Sequence, residues 1–235
     1  MYPVSEPLPI SYLGFVADNW VELVIATIEH VELVIQTLII ALPLGISLGV
    51  AITLYRSTST LVLWLAGVAM TIPSIALFGL LIPFIGIGNP PVIVALVLYA
   101  QLPIIRNTHI GLTRVEEGAL EAGTGLGMTK RQRLRRIRFP MALPVITAGM
   151  RNAVVILIGV ATVGAYVGAG GLGDYIFVGI YESNTEMIVA ATVLVSLLAL
   201  ATDYLFEAVE QVLYLRNGED VEMSLATRAL WGVVG

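Results

Sequence analysis

The residues best supplied for chemistry sit together in the middle of the chain. Glu116, Glu117 and Glu121 come first, and the cations Lys130, Arg131, Arg133, Arg135, Arg136 and Arg138 come after them within one short segment. What such groups support is ionic docking, because a carboxylate on a helix can meet an arginine of another protein through charge-assisted hydrogen bonds. Gly118, Ala119, Ala122 and Gly123 lie among the acids and leave room for a second protein surface to approach closely. Covalent and metal chemistry is poorly supplied. The 235 residues hold no Cys and two His, His30 and His109, which removes disulfides, thiolate sites and Cys nucleophiles and leaves little for a metal cluster. Gly168, Gly170 and Gly173 in "GAGGLG" fit the dinucleotide pattern GxGxxG, yet no strand precedes them and no βαβ unit surrounds them. The expectation there is an extramembrane turn or re-entrant mouth, with glycine freeing the backbone, Asp174 capping the next segment of chain, and a gate at Gly170, Gly171 and Asp174 as a further reading. A Walker A loop needs Gly-Lys-Ser/Thr, but the sole lysine, Lys130, stands between Thr129 and Arg131. No catalytic residue, metal or cofactor site is expected in the chain.

These groups are set in a chain that is otherwise hydrocarbon. With 57% apolar and 12% charged residues and a mean hydropathy of +0.91, the composition lies outside the soluble range. It predicts an all-α integral membrane protein with about five transmembrane helices of about 20 residues each. Apolar runs near 33–55, 61–83, 91–109, 152–168 and 187–205 are the spans, the first two with a central proline. The division is then 1–30 as an extracytoplasmic tail or interfacial helix, 31–207 as the membrane domain with a loop at 112–140, and 208–235 as a tail. Residues 1–20 lack a basic region ahead of an apolar core, so no cleavable signal peptide is expected. Glu29, His30 and Glu32 read as a solvated interfacial turn, and the Gly45-to-Gly49 GxxxG as packing within the chain rather than a dimer contact. Gln36, Gln101, Asn152 and Asp203 are the polar residues inside spans. Gln101 beside Tyr99 could line a path, although a bond between helices accounts for it equally well. Tyr99, Tyr166, Tyr175 and Tyr181 suit either quaternary-ammonium binding or anchoring at the membrane interface.

The cations set the topology. Arg106 ends the apolar run of the third span, and the other eleven Lys and Arg fall in the first loop, the third loop, the base of the fourth span or the C-terminal tail. The N-terminus is therefore expected outside, and the 112–140 loop and C-terminus in the cytosol of a cell that holds the chain in its cytoplasmic membrane. Anionic headgroups account for cations at such a border whatever the protein does. The loop carries more than charge. Val115, Ala119, Ala122 and Leu126 share one face of a short helix, Gly125 and Gly127 allow a change of direction, a second short helix is expected over 129–138, and Pro140 suits a break before the next span. The spans show no buried carboxylate relay and no repeated halves, which argues against an ion-coupled carrier. Energy would then have to enter from a partner through this loop.

Glu121, Ala122, Gly127, Ile137 and Pro140, at their spacing, resemble the EAA signature of ABC-importer permeases; Gly123 stands where alanine is usual and Phe139 where leucine is usual. Residues 71–112 and "VGAGGLGDYIFVGI" resemble the osmoprotectant, or glycine betaine/carnitine/choline, branch, over about residues 30–207 in all. The resemblance implies the MetI-like type I permease fold and a loop that docks into an ATP-binding subunit, with Glu121, Ala122, Gly123, Gly127, Ile137 and Pro140 as its coupling residues. It also implies ATP bound by that subunit, a second permease chain, identical or paralogous, and a separate extracytoplasmic solute-binding protein; nucleic acid has no part. A permease for another small solute such as methionine, and a channel-like or assembly-only membrane protein, remain alternatives.

Overall fold

The computed structural model describes residues 9–219 together with Ser224, Thr227 and Arg228, and the described residues form helices and no strand. In chain order these are α1 (Pro9–Asp18), α2 (Trp20–Leu54), α3 (Ser59–Thr71), α4 (Ser74–Ile85), α5 (Asn89–Thr113), α6 (Glu117–Gly125), α7 (Lys130–Arg133), α8 (Phe139–Gly164), α9 (Leu172–Glu182) and α10 (Thr185–Arg216). By length and composition, four continuous helices can cross a membrane, and a fifth crossing is possible if the bent pair α3–α4 counts as one span.

Local chemistry moved several expected boundaries. α2, which carries the run expected as the first span, starts at Trp20, and Leu23, Ala26, His30, Leu33, Thr37 and Ala41 make one buried stripe along it at helical spacing. The solvated turn expected at Glu29, His30 and Glu32 is therefore wrong for His30. That side chain is fully buried, and its Nε2 lies 3.0 Å from the Ile158 carbonyl oxygen. The run expected as the second span is not one straight helix. Its two helices meet at 97° across Ile72 and Pro73, where proline lacks an N–H and drives the residue before it away from helical angles.

The break expected at Pro140 is absent. Lys130–Val167 is one continuous helical path of 38 residues, with a wider π-helical turn over Leu134–Arg138 just before the proline. Widening there relieves the clash between the proline ring and the carbonyl four residues back, so the helix bends its hydrogen bonding instead of ending. α10, which carries the run expected as the fifth span, extends beyond it at both ends, and α9 occupies what was expected to be loop.

The described residues of 1–39, 72–97 and 156–200 form one compact unit, and those of 40–71, 98–155 and 201–235 a second. In the second, Gly45 and Gly49 let α2 lie against α5. A Cβ at Gly45 would stand 2.7 Å from Ile104 Cγ2, and one at Gly49 2.5 Å from Thr108 Cβ. The GxxxG is thus used within the chain. Ile52, Ala66 and Ile105 form one buried cluster there, and Leu112, Ala142 and Ile146 another.

Candidate functional site

The segment after α5 folds as a braced helical corner. α6 begins at Glu117, next to the N-terminal dipole that favours its acids. It ends where Gly127 turns at φ +75°, the Met128 N–H donating to the Gly123 carbonyl at 3.0 Å and the Gly127 N–H to that of Thr124 at 2.9 Å. Gly127 supplies the change of direction alone, since Gly125 keeps a negative φ. Thr129 then opens α7 with a capping box. Its hydroxyl accepts from the Gln132 N–H at 3.3 Å, and the Gln132 side chain accepts from the Thr129 N–H at 2.8 Å.

The corner is held by its own side chains. Gly123 is buried, and a Cβ there would stand 2.5 Å from Ile137 Cδ1 and 3.4 Å from Arg133 Cγ. Arg133 Nη1 donates to the Thr124 hydroxyl. One expectation changes as a result: Gly123 faces the second limb of the loop rather than a partner. Arg133, named above only as one of the loop's cations, belongs to the brace. Glu121 and Ala122 are exposed, and Ala119 is half-buried. Leu126 lies beyond the helix end, largely exposed, and does not extend the Ala119–Ala122 face. A cleft of about 420 Å³ opens beside the corner, lined by Glu117, Glu121, Lys130, Arg133 and Arg138 with Leu54, Leu120 and Leu134 among them. Acids stand on its α6 side and cations on the other.

The glycine segment is a turn, as expected, but with a different cap. Gly168, Gly170 and Gly171 have φ of +84°, +76° and +77°, angles that glycine adopts freely. Gly171 occupies the N-cap position of α9, and Asp174 lies three residues later in its first turn without capping it. The anion at this helix end comes from elsewhere, since Glu29 Oε2 accepts from the Gly171 N–H at 3.2 Å. Asp174 is held above its ordinary carboxyl value, first by burial and second by the charge of Glu29. Tyr166 packs on Phe177 with ring centroids 5.7 Å apart, and Tyr181 is exposed.

Tyr99 and Gln101 are 4% and 6% exposed, so neither side chain faces an open path in this conformation. Gln101 Nε2 points at the Ala41 carbonyl oxygen 3.4 Å away, joining α5 to α2, which is the helix-packing reading. One cluster escaped sequence reasoning. Arg151 on α8 faces Asp203 at 3.7 Å, Glu207 at 3.9 Å and Glu210 at 3.5 Å on α10. The acid spacing of four and then three was visible in the sequence as one helical face; its cation, far away along the chain, was not.

The family profile described as "binding-protein-dependent transport system inner membrane component" matches residues 41–213. The osmoprotectant import permease protein OsmW of Salmonella typhimurium is 44% identical, over 86% of this chain and 96% of its own length. The choline transport system permease protein OpuBB of Bacillus subtilis is 38% identical, over 85% of this chain and 92% of its own. A solved structure of the MetNI methionine ABC transporter in an inward-facing conformation superposes with a TM-score of 0.66 at 26% identity, covering 79% of this chain and 93% of that one.

Proposed function

Because the chain belongs to the family of binding-protein-dependent transport system inner membrane components, we propose that it is the membrane subunit of an ATP-driven importer whose solute is a quaternary-amine osmoprotectant such as glycine betaine, carnitine or choline. The observation that carries the mechanism is the α6–α7 corner. A segment braced internally through Gly123, Ile137, Arg133 and Thr124, with Glu121 and Ala122 left exposed, is shaped to receive a push rather than to bind a small molecule. The force comes from a separate subunit that binds ATP, and Glu121 meets a cation of that subunit. The arginine-rich side of the chain lies in the cytosol, with the N-terminus and the glycine turn outside. A second permease chain, identical or paralogous, completes the path, and an extracytoplasmic protein delivers the solute. Gly170, Gly171 and Asp174 form an outer gate, while Tyr99 and Gln101 set the helix spacing behind the path.

The solute class is supported by the relatives, whose names include transport of choline, carnitine, glycine betaine and osmoprotectants at 35–44% identity. Proteoliposomes holding the permease and its ATPase, supplied with the binding protein, should accumulate these compounds only when ATP is present. Uptake of methionine but of none of them would reject the solute and keep the transporter. Glu121→Lys or Ala122→Trp should still insert yet lose ATPase co-purification and uptake. Retention of both by both variants would remove the coupling role from the corner.

A further inference from the structure

We propose that Glu29 is a positioning residue for the transport cycle: reaching from α2, its carboxylate caps α9 from outside that helix and latches the glycine turn 168–171. This rests on the chain being the transport subunit proposed above, and assigns to one side chain the control of the turn read there as a gate.

Three observations converge on Glu29. The first is the cap itself. The N-cap of α9 is Gly171, which has no side chain to satisfy the helix end, and its N–H donates to Glu29 Oε2 at 3.2 Å. An anion at a helix N-terminus is favoured both by the exposed N–H groups and by the helix dipole. The second is the fit around it. A Cβ on Gly170 would stand 3.3 Å from the same Oε2, and one on Gly171 3.1 to 3.2 Å from the backbone N, Cα and Cβ of His30. The turn therefore lies directly on the Glu29–His30 stretch of α2, and only residues without a Cβ let it approach so closely. The third is charge. No Lys or Arg occurs in 1–55 or in 152–215, so the Glu29 carboxylate faces a backbone donor and not a neighbouring cation. Asp174, one turn into α9, sets a second negative charge beside it.

Such a latch holds without locking. His30 anchors this part of α2 through its Nε2 bond to the Ile158 carbonyl, so the Glu29 backbone stays fixed while its side chain can release the turn. The turn leaves the carboxylate when α9 is displaced, and α9 recovers its cap when the turn returns.

The chain contains no cysteine, and Ala169, inside the turn, is 8% exposed, so Ala169→Cys is a single buried reporter. The test uses the assembled transporter in proteoliposomes and measures three quantities: labelling of that cysteine by an impermeant maleimide, ATP hydrolysis, and solute uptake. Glu29→Ala should speed labelling by about fivefold, the factor expected for losing one partly exposed hydrogen bond to a charged acceptor, and should raise the ATP hydrolysed per solute moved. Glu29→Asp withdraws the carboxylate by about 1.5 Å and should behave like Glu29→Ala, although it keeps the charge. Glu29→Gln, which keeps the reach and an acceptor oxygen, should fall between parent and Glu29→Ala. A merely structural role lowers uptake and hydrolysis in the same proportion and leaves labelling slow; that result, or a Glu29→Asp variant indistinguishable from the parent, overturns the latch. Failure of the parent transporter to move any quaternary amine would count against the proposed solute and leave the labelling comparison standing.

Discussion

Gly123 sits where the two limbs of the corner touch, and a double-variant cycle with Ile137 reads that contact directly. Gly123→Ala would place a Cβ 2.5 Å from Ile137 Cδ1, whereas carbon atoms in contact prefer about 3.5–4.0 Å. The methyl must withdraw by about 1 Å, which rotates the Ile137 side chain off its rotamer at about 0.5–1.5 kcal/mol. Alanine returns about 0.5–1 kcal/mol by restricting the unfolded backbone inside a helix. The single variant should thus be close to neutral, in keeping with a position where alanine is usual in the resembled signature. Ile137→Val deletes the Cδ1 methyl and should cost about 0.5 kcal/mol, the low end for a half-buried site. With that methyl gone alanine meets no obstacle, so the double variant should be more stable than the sum of the singles by about 1 kcal/mol, a typical coupling for residues in contact. Hydrogen exchange of the α6 amides in the assembled complex measures this, and retention of the ATPase subunit shows its consequence. Effects that add to within about 0.3 kcal/mol would mean that Gly123 and Ile137 do not touch in the working protein, and the account of the corner as self-braced would fail.

Three further outcomes rest on the packing and charge. Gly49→Val should block the α2–α5 contact, since even its Cβ would fall 2.5 Å from Thr108 Cβ and 3.1 Å from the Ile105 carbonyl oxygen; overpacking at about 1–3 kcal/mol should show as a lowered thermal midpoint in detergent. Arg151→Gln leaves three carboxylates facing one another on α10 and should destabilise, whereas Asp203→Asn removes one excess negative charge and should be close to neutral; thermal midpoints of the two variants check the order. Asp174 lies outside the spans and binds its proton more tightly in the folded chain than in the unfolded one, so its contribution to stability falls as pH rises above the ordinary aspartate value of about 3.9; Asp174→Asn should flatten that slope in a pH series of thermal midpoints.

What could be read from the sequence depended on whether the governing interaction was local. The helical class, the spans, the Gly45–Gly49 packing and the turn at Gly127 come from composition, spacing and backbone freedom, each of which is written within a few residues. The proline positions illustrate the limit. Pro43, Pro103 and Pro144 lie inside continuous helices, Pro73 stands at the 97° bend between α3 and α4, and Pro140 is absorbed by a π-helical turn. The residue is the same and its missing N–H is the same, so the surrounding helices decide which outcome holds. Side-chain partners across the chain were equally hidden. Glu29 and Gly171 are 142 residues apart, and His30 and Ile158 are 128 apart. Short-range reading therefore placed Glu29 and His30 on a wet surface because both are polar. Helical phase puts them on different faces of α2: His30 falls on the stripe with Leu23, Ala26 and Thr37, and Glu29, one residue earlier, falls outside it. A difference of one residue in phase thus separates a buried anchor from an exposed carboxylate. That separation allows the same helix to hold still at His30 while Glu29 takes or releases the turn.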